Sequence, residues 1–132
     1  MNKVTITMTL LVFLSTFSIN DCFAQRAKPA VVIHGLNVAD TTISVQQLKK
    51  AGRLDLVNLP DYTITNHDLI VATGENNILS AGNKSAEFHE MVLEYFRENE
   101  INGQMVWVEN IVATSSKGQI MTFPNQRIHL TH

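Results

Sequence analysis

Hydrophobic positions recur along this chain with two different periods, and a long uncharged run precedes both. After Lys3, the residues from Ile6 to Ile19 are apolar or polar without a charge, through Leu10, Leu11, Val12, Phe13 and Leu14. The run is shorter than the about 20 residues a membrane-spanning helix needs. With a basic residue before it and Ala24 after Cys22-Phe23, it reads as an export signal, residues 1–24, cleaved after Ala24. The mature chain then begins at Gln25. Lipidation of Cys22 is the rival reading, and Asp21 opposes it by standing where a small residue is wanted.

Beyond the signal, most of the pattern has period two. Ala30 to His34 is a short β-branched run that stops at Gly35. Tyr62 to Thr73 alternates, with Tyr62 and Ile64 on one phase and Leu69 and Val71 on another. The slip near Asn66-His67 predicts a bulge or a bend. Gly74 to Asn77 is a hairpin turn, and Ile78 to Ala81 returns. Gln104 to Ala113 predicts a strand with Trp107 at its centre. Ser115 to Gly118 turns it back into Gln119–Phe123, and Pro124 precedes a last alternating strand from Ile128 to His132.

Helical spacing appears in two places. Ser44 to Ala51 predicts one or two turns, capped by Ser44 and stopped by Gly52. The stronger signal runs from Ser85 to Asn99, where Phe88, Met91, Val92, Tyr95 and Phe96 fall at i, i+3, i+4, i+7 and i+8. Ser85 is the expected cap. The stripe is expected to pack on strands that include Trp107 and Ile111. The predicted fold is therefore α+β and mostly β. It is a small antiparallel sheet or Ig-like sandwich of about five to six strands, with one main amphipathic helix over 85–99. Residues 25–132 read as one domain.

Composition narrows the function more than it defines it. With 45% hydrophobic and 17% charged residues, the chain is too apolar for a disordered polar segment. A net charge of -2 lacks the basic footprint of nucleic-acid binding. One cysteine excludes a disulfide scaffold and a cysteine-based zinc site. The histidines at 34, 67, 89, 129 and 132 are scattered and read as surface or bulge residues. Ser115-Ser116 lacks the Gly-x-Ser-x-Gly elbow of a hydrolase. We therefore expect no enzyme, no cofactor and no metal.

The second half carries a resemblance. Leu54, Leu56 and Leu59 lead into the strand from Tyr62, and Gly82-Asn83 stands before the helix. After the helix come Asn102-Gly103, the pattern Val106-x-Val108-Glu109-x-Ile111-x-Ala113, a turn ending at Gly118, and Phe123-Pro124 before Ile128-x-Leu130. In this order and spacing, Asn58 to His132 resembles the C-terminal periplasmic domain of the gliding-motility and type IX secretion protein GldM. The departures are Lys117 in place of the usual Asp and a first long strand whose aromatics are reduced to Tyr62. That family also keeps an N-terminal membrane helix and several periplasmic domains, so coupling to a membrane motor does not carry over. The resemblance implies an exported, non-enzymatic envelope domain that contacts other envelope proteins. The alternative is a small extracytoplasmic ligand- or metal-binding protein or enzyme. Two surfaces are expected to bind a partner: the last strand, through Ile128 and Leu130 at an open edge, and the acidic helix face of Glu90, Glu94 and Glu98. Neither nucleic acid nor stable membrane insertion of the mature chain is expected.

Overall fold

The computed structural model describes residues 27–132. The expected signal segment, and with it processing after Ala24, lies outside the described residues. Strands β1 (Ala30–Ile33) and β2 (Thr42–Ser44) lead into helix α1 (Val45–Ala51). Strands β3 (Leu54–Val57), β4 (Tyr62–Ala72) and β5 (Ile78–Asn83) precede helix α2 (Glu90–Glu98). Strands β6 (Met105–Ser115), β7 (Ile120–Thr122) and β8 (Gln126–Thr131) complete the order. The fold is α+β and mostly β.

The main sheet has the order β2-β8-β6-β4-β5, with β7 on β6 beyond β8. All its pairs are antiparallel except β2–β8, which is parallel. A second sheet contains only β1 and β3, antiparallel. Eight strands therefore stand, among the described residues, where five or six were expected. The layer facing the main sheet is a two-stranded ribbon with two helices, rather than the second full sheet of an Ig-like sandwich.

The core lies between these layers. Val31, Ile33 and Leu54 from the ribbon, Leu48 and Ala51 from α1, and Val92 and Phe96 from α2 close over one face of the main sheet. That face presents Ile43, Leu69, Val71, Val106, Val108, Ile128 and Leu130, all buried. Alternation along a strand sends every second residue to the opposite face. Ile70 and Trp107, paired across β4 and β6, are therefore half-buried on the outer side. Trp107 was expected beneath the helix. It sits one residue out of phase with Val106 and Val108, which take that place.

Local chemistry explains the helix boundaries. Ser44 Oγ accepts the Gln47 N–H, and Gln47 Oε1 accepts the Ser44 N–H, so each satisfies an otherwise unpaired helix-start donor. Gly52 ends α1 in the left-handed region at φ 68°, a conformation costly for residues with a Cβ. Helix α2 starts later than the stripe predicted. Ser85 does not cap it; its hydroxyl accepts the Glu87 N–H in a turn. The cap is His89, whose Nδ1 accepts the Met91 N–H at 3.1 Å. The reason is tertiary: Phe88 N–H donates to the Gly52 carbonyl and Leu54 N–H to the Ala86 carbonyl. Residues engaged in that pairing cannot also wind into a helix. The buried stripe is thus Phe88, Val92 and Phe96, with Leu93 and Tyr95 packed beside it, while Met91 is 48% exposed.

The slip in β4 is real. Between Ile64 and Asn66, β4 carries an extra residue relative to β6; between Asn66 and Asp68, β6 carries one in return. The second is the stretch around Asn110, at φ 50°. The two irregularities compensate, so β4 and β6 stay paired along their length while His67 swings onto the core face. Just beyond the helix, Gly103 packs so closely on β4 that a Cβ would collide with the Ala72 carbonyl.

Candidate functional site

The strand expected to offer an open edge is an interior strand. β8 pairs with β6 through residues 126–129 and with β2 through residues 129–131. Ile128 and Leu130 point into the core and are 5% and 8% exposed. They hold the sheet together and are not available to a partner. The reason is the parallel strand Thr42–Ser44, which lies far away in sequence and closes the edge. Glu90, Glu94 and Glu98 are all exposed on α2, as expected.

An open edge does exist, between β3 and β4. The His34 N–H donates to the Arg53 carbonyl, which sets the alternation in the ribbon. Arg53, Asp55 and Val57 therefore turn their backbone groups toward β1, whereas Leu54 and Leu56 turn theirs away. Likewise the Ser116 N–H donates to the Asp61 carbonyl. Thr63 therefore faces β6, while the backbone groups of Tyr62 and Ile64 face the lane that β5 occupies further up. β5, however, pairs only with His67 to Ala72. After Asn83 the chain leaves β4 and crosses to β3, where Ala86 meets Leu54. The Tyr62 N–H is taken by the Leu59 carbonyl at 3.4 Å. Below that crossing, the bare edge of β3 at Leu56 therefore faces the Tyr62 carbonyl and both backbone groups of Ile64 on β4.

The space between is an open cleft of about 560 Å³, within the usual size of ligand sites. Leu54, Leu56, Ile64 and Ala86 supply apolar surface, and Arg53, Asp55, Tyr62, Thr63, Ser85 and Glu87 supply polar groups. Tyr62 is steadied by its hydroxyl, 3.3 Å from Gln119 Oε1. Glu87 has no ion-pair partner among the described residues.

Beyond Arg53 and Glu87 lies a second open cleft of about 460 Å³, lined by His34, Lys50 and Leu93 among others. Here His34 Nδ1–H donates to Asp55 Oδ2 at 2.6 Å, and Arg53 Nε–H lies 3.3 Å from Asp55 Oδ1. This pair was not anticipated, since its members are 21 residues apart and β3 was not read as a strand. It has the outline of a base with its orienting carboxylate. The imidazole and carboxylate are 45% and 36% exposed, however, and the described hydrogen bonds bring no hydroxyl nucleophile to the imidazole. Water screens such pairs strongly, so it adds little stability.

The remaining histidines stand apart. His67, expected at the surface or in a bulge, sits at the bulge but is fully buried. Its Nδ1–H donates to the Ser85 carbonyl at 2.8 Å, which leaves the Nε2 lone pair without a partner, beside Phe88. Burial pushes its pKa below the usual imidazole value, against weaker upward pulls from the Ser85 carbonyl and from Asp68. The ring is therefore neutral. Asp68 faces the other side and accepts from Asn110 Nδ2 at 2.6 Å. Among the described residues no three His, Cys, Asp or Glu side chains come together as a metal site would require.

No protein-family model and no curated protein matches the chain. The functional reading therefore rests on the residues themselves. In the described structure the arrangement offers open backbone groups, an apolar floor and a charged rim.

Proposed function

We propose that the protein is an exported, non-enzymatic domain of the cell envelope that binds other proteins, resembling in its second half the C-terminal periplasmic domain of GldM. The carrying observation is the cleft between β3 and β4, where the outward backbone groups of Leu56 and Ile64 and the Tyr62 carbonyl line an apolar floor. Backbone groups left open to solvent at a strand edge are ready to pair with another chain. The export part of the reading is supported by Lys3, the uncharged run from Ile6 to Ile19, and Ala24. The likeness to GldM is supported by the ordered landmarks from Leu54 to Leu130. A role in gliding or type IX secretion follows only by way of that likeness.

A second reading takes His34 and Asp55 as a general base in a small extracytoplasmic enzyme. It is favoured by their 2.6 Å hydrogen bond at the mouth of a cleft. High exposure of both groups weighs against it, because a tuned base is normally shielded.

The test is fractionation of cells producing the tagged chain, followed by cross-linking in intact cells and reconstitution with each purified cross-linked protein. The proposal expects an envelope location, a mature N-terminus at Gln25, and at least one envelope protein that binds again when purified. Retention in the cytoplasm, or a hydrolytic activity lost in His34→Ala, would overturn it.

A further inference from the structure

We propose that the cleft between β3 and β4 binds an extended peptide, which pairs as an added strand with the edge of β4 through the Ile64 N–H and C=O and the Tyr62 carbonyl. This rests on the reading of the protein as a binding domain and specifies its site. Three features define the occupant. First, the free groups on β4 are the Tyr62 carbonyl and the N–H and C=O of Ile64 two residues on, the Tyr62 N–H being held by the Leu59 carbonyl; this is the spacing of an extended backbone partner. The Leu56 groups face the same space from the opposite wall. Second, Leu54, Leu56, Ile64 and Ala86 form an apolar floor on one side of the lane. Side chains alternate across a strand, so the peptide carries apolar residues at every second position. Third, Asp55 on the rim is already paired with Arg53 and His34, which leaves Glu87 as the rim charge without an ion-pair partner among the described residues. Charge complementarity therefore places a Lys or Arg at the solvent-facing position beside Glu87.

The crossing of the chain from Asn83 to Ala86 makes the site. It withdraws β5 from the lower half of β4 and caps the lane at Ser85, whose carbonyl is fixed by His67. At the other end the lane closes at the turn Asn58–Asp61. About four to six peptide residues fit between, at roughly 3.3 Å per residue.

The test uses the purified protein and a synthetic probe, acetyl-Lys-Val-Lys-Val-Lys-Val-amide, followed by amide chemical shifts and hydrogen exchange. The expected result is a set of shifts confined to residues 54–56, 62–65 and 85–87, with slowed exchange at the Leu56 and Ile64 amides. Ala86→Trp, which fills the floor without touching the Ala86 carbonyl, should weaken binding at least tenfold while leaving the melting transition cooperative. Glu87→Lys should weaken it less and remove part of its salt dependence. A probe with alternate backbone nitrogens methylated should not bind. Three outcomes overturn the site: no shifts at millimolar probe, shifts centred on Trp107 or α2, or unchanged binding to a folded Ala86→Trp variant. The cross-linking result above stands or falls separately, because a partner captured on another surface would preserve the binding function while refuting this cleft.

Discussion

The two halves of strand β4 share a sequence pattern but not a fate. From Asp68 to Val71 the strand is paired on both sides, by β5 and β6, and Leu69 and Val71 are completely buried. From Tyr62 to Ile64 it is paired on one side only, and its outward backbone groups open into a cleft. The compensating bulges opposite Asn110 divide the halves, and His67 stands at the boundary with its ring tied to the crossing chain. The upper half builds the core; the lower half is left available. Past the bulges one partner strand is missing, and the backbone groups it would have paired are left open.

The largest expected effect lies at the crossing that separates the halves. Phe88→Ala should cost about 3–5 kcal/mol in denaturant unfolding, since the ring is 2% exposed and packs beside His67. Next comes the contrast within β4. Leu69→Ala should cost about 2–5 kcal/mol. Thr63→Ala, exposed on the lower half, should change stability by about 0.5 kcal/mol or less. Equal losses at the two positions would mean that the halves are equally integrated.

How much of this could be read in advance depends on how local the cause is. The cap at Ser44 and the stop at Gly52 were legible because each acts within one helical turn. The phase slip at Asn66-His67 was legible because a bulge shifts the alternation of a single strand. Strand β3 was not, although Leu54 and Leu56 alternate, because its partner is β1 and its pairing shows only when the two are brought together. The start of α2 was misplaced for a related reason: Ala86 to Phe88 carry helical spacing but are recruited to the edge of β3. The end of the chain misled in the opposite direction. Ile128 and Leu130 look like an exposed edge until β2, whose Ile43 pairs with Leu130 from 87 residues earlier, lies alongside. The cleft is the product of these non-local pairings, so no short motif announces it.

Acidification should act at the boundary residue. The folded state holds His67 neutral with a lowered pKa, whereas the unfolded chain returns it to 6.5. The unfolded state therefore binds more protons below that value, and its contribution to stability is full above about pH 6.5 and declines as the pH falls beneath it. Unfolding free energies at pH 7.5 and pH 5.5 measure the decline. His67→Gln should be less stable at pH 7.5 but should show a smaller drop between the two. An identical drop in the variant would assign the pH response to other groups.

A smaller effect is expected away from β4. Ser44→Ala should lower stability by about 1 kcal/mol, through loss of the bond from the Gln47 N–H. It should leave peptide binding in the cleft unaltered, since α1 does not line it. Weakened binding there would couple the cleft to the ribbon more tightly than its geometry implies.

The central claim is that two bare strand edges face each other below the crossing chain. Hydrogen exchange of individual backbone amides in the free protein tests it directly. The account predicts an alternation: Asp55 and Thr63, bonded to β1 and β6, exchange slowly, while Leu56 and Ile64 between them exchange orders of magnitude faster. The Leu69 and Val71 amides, facing β5, should be protected like their neighbours. Strong protection of both Leu56 and Ile64 in the free protein would mean that the edges are already satisfied, and the cleft would then be no binding site.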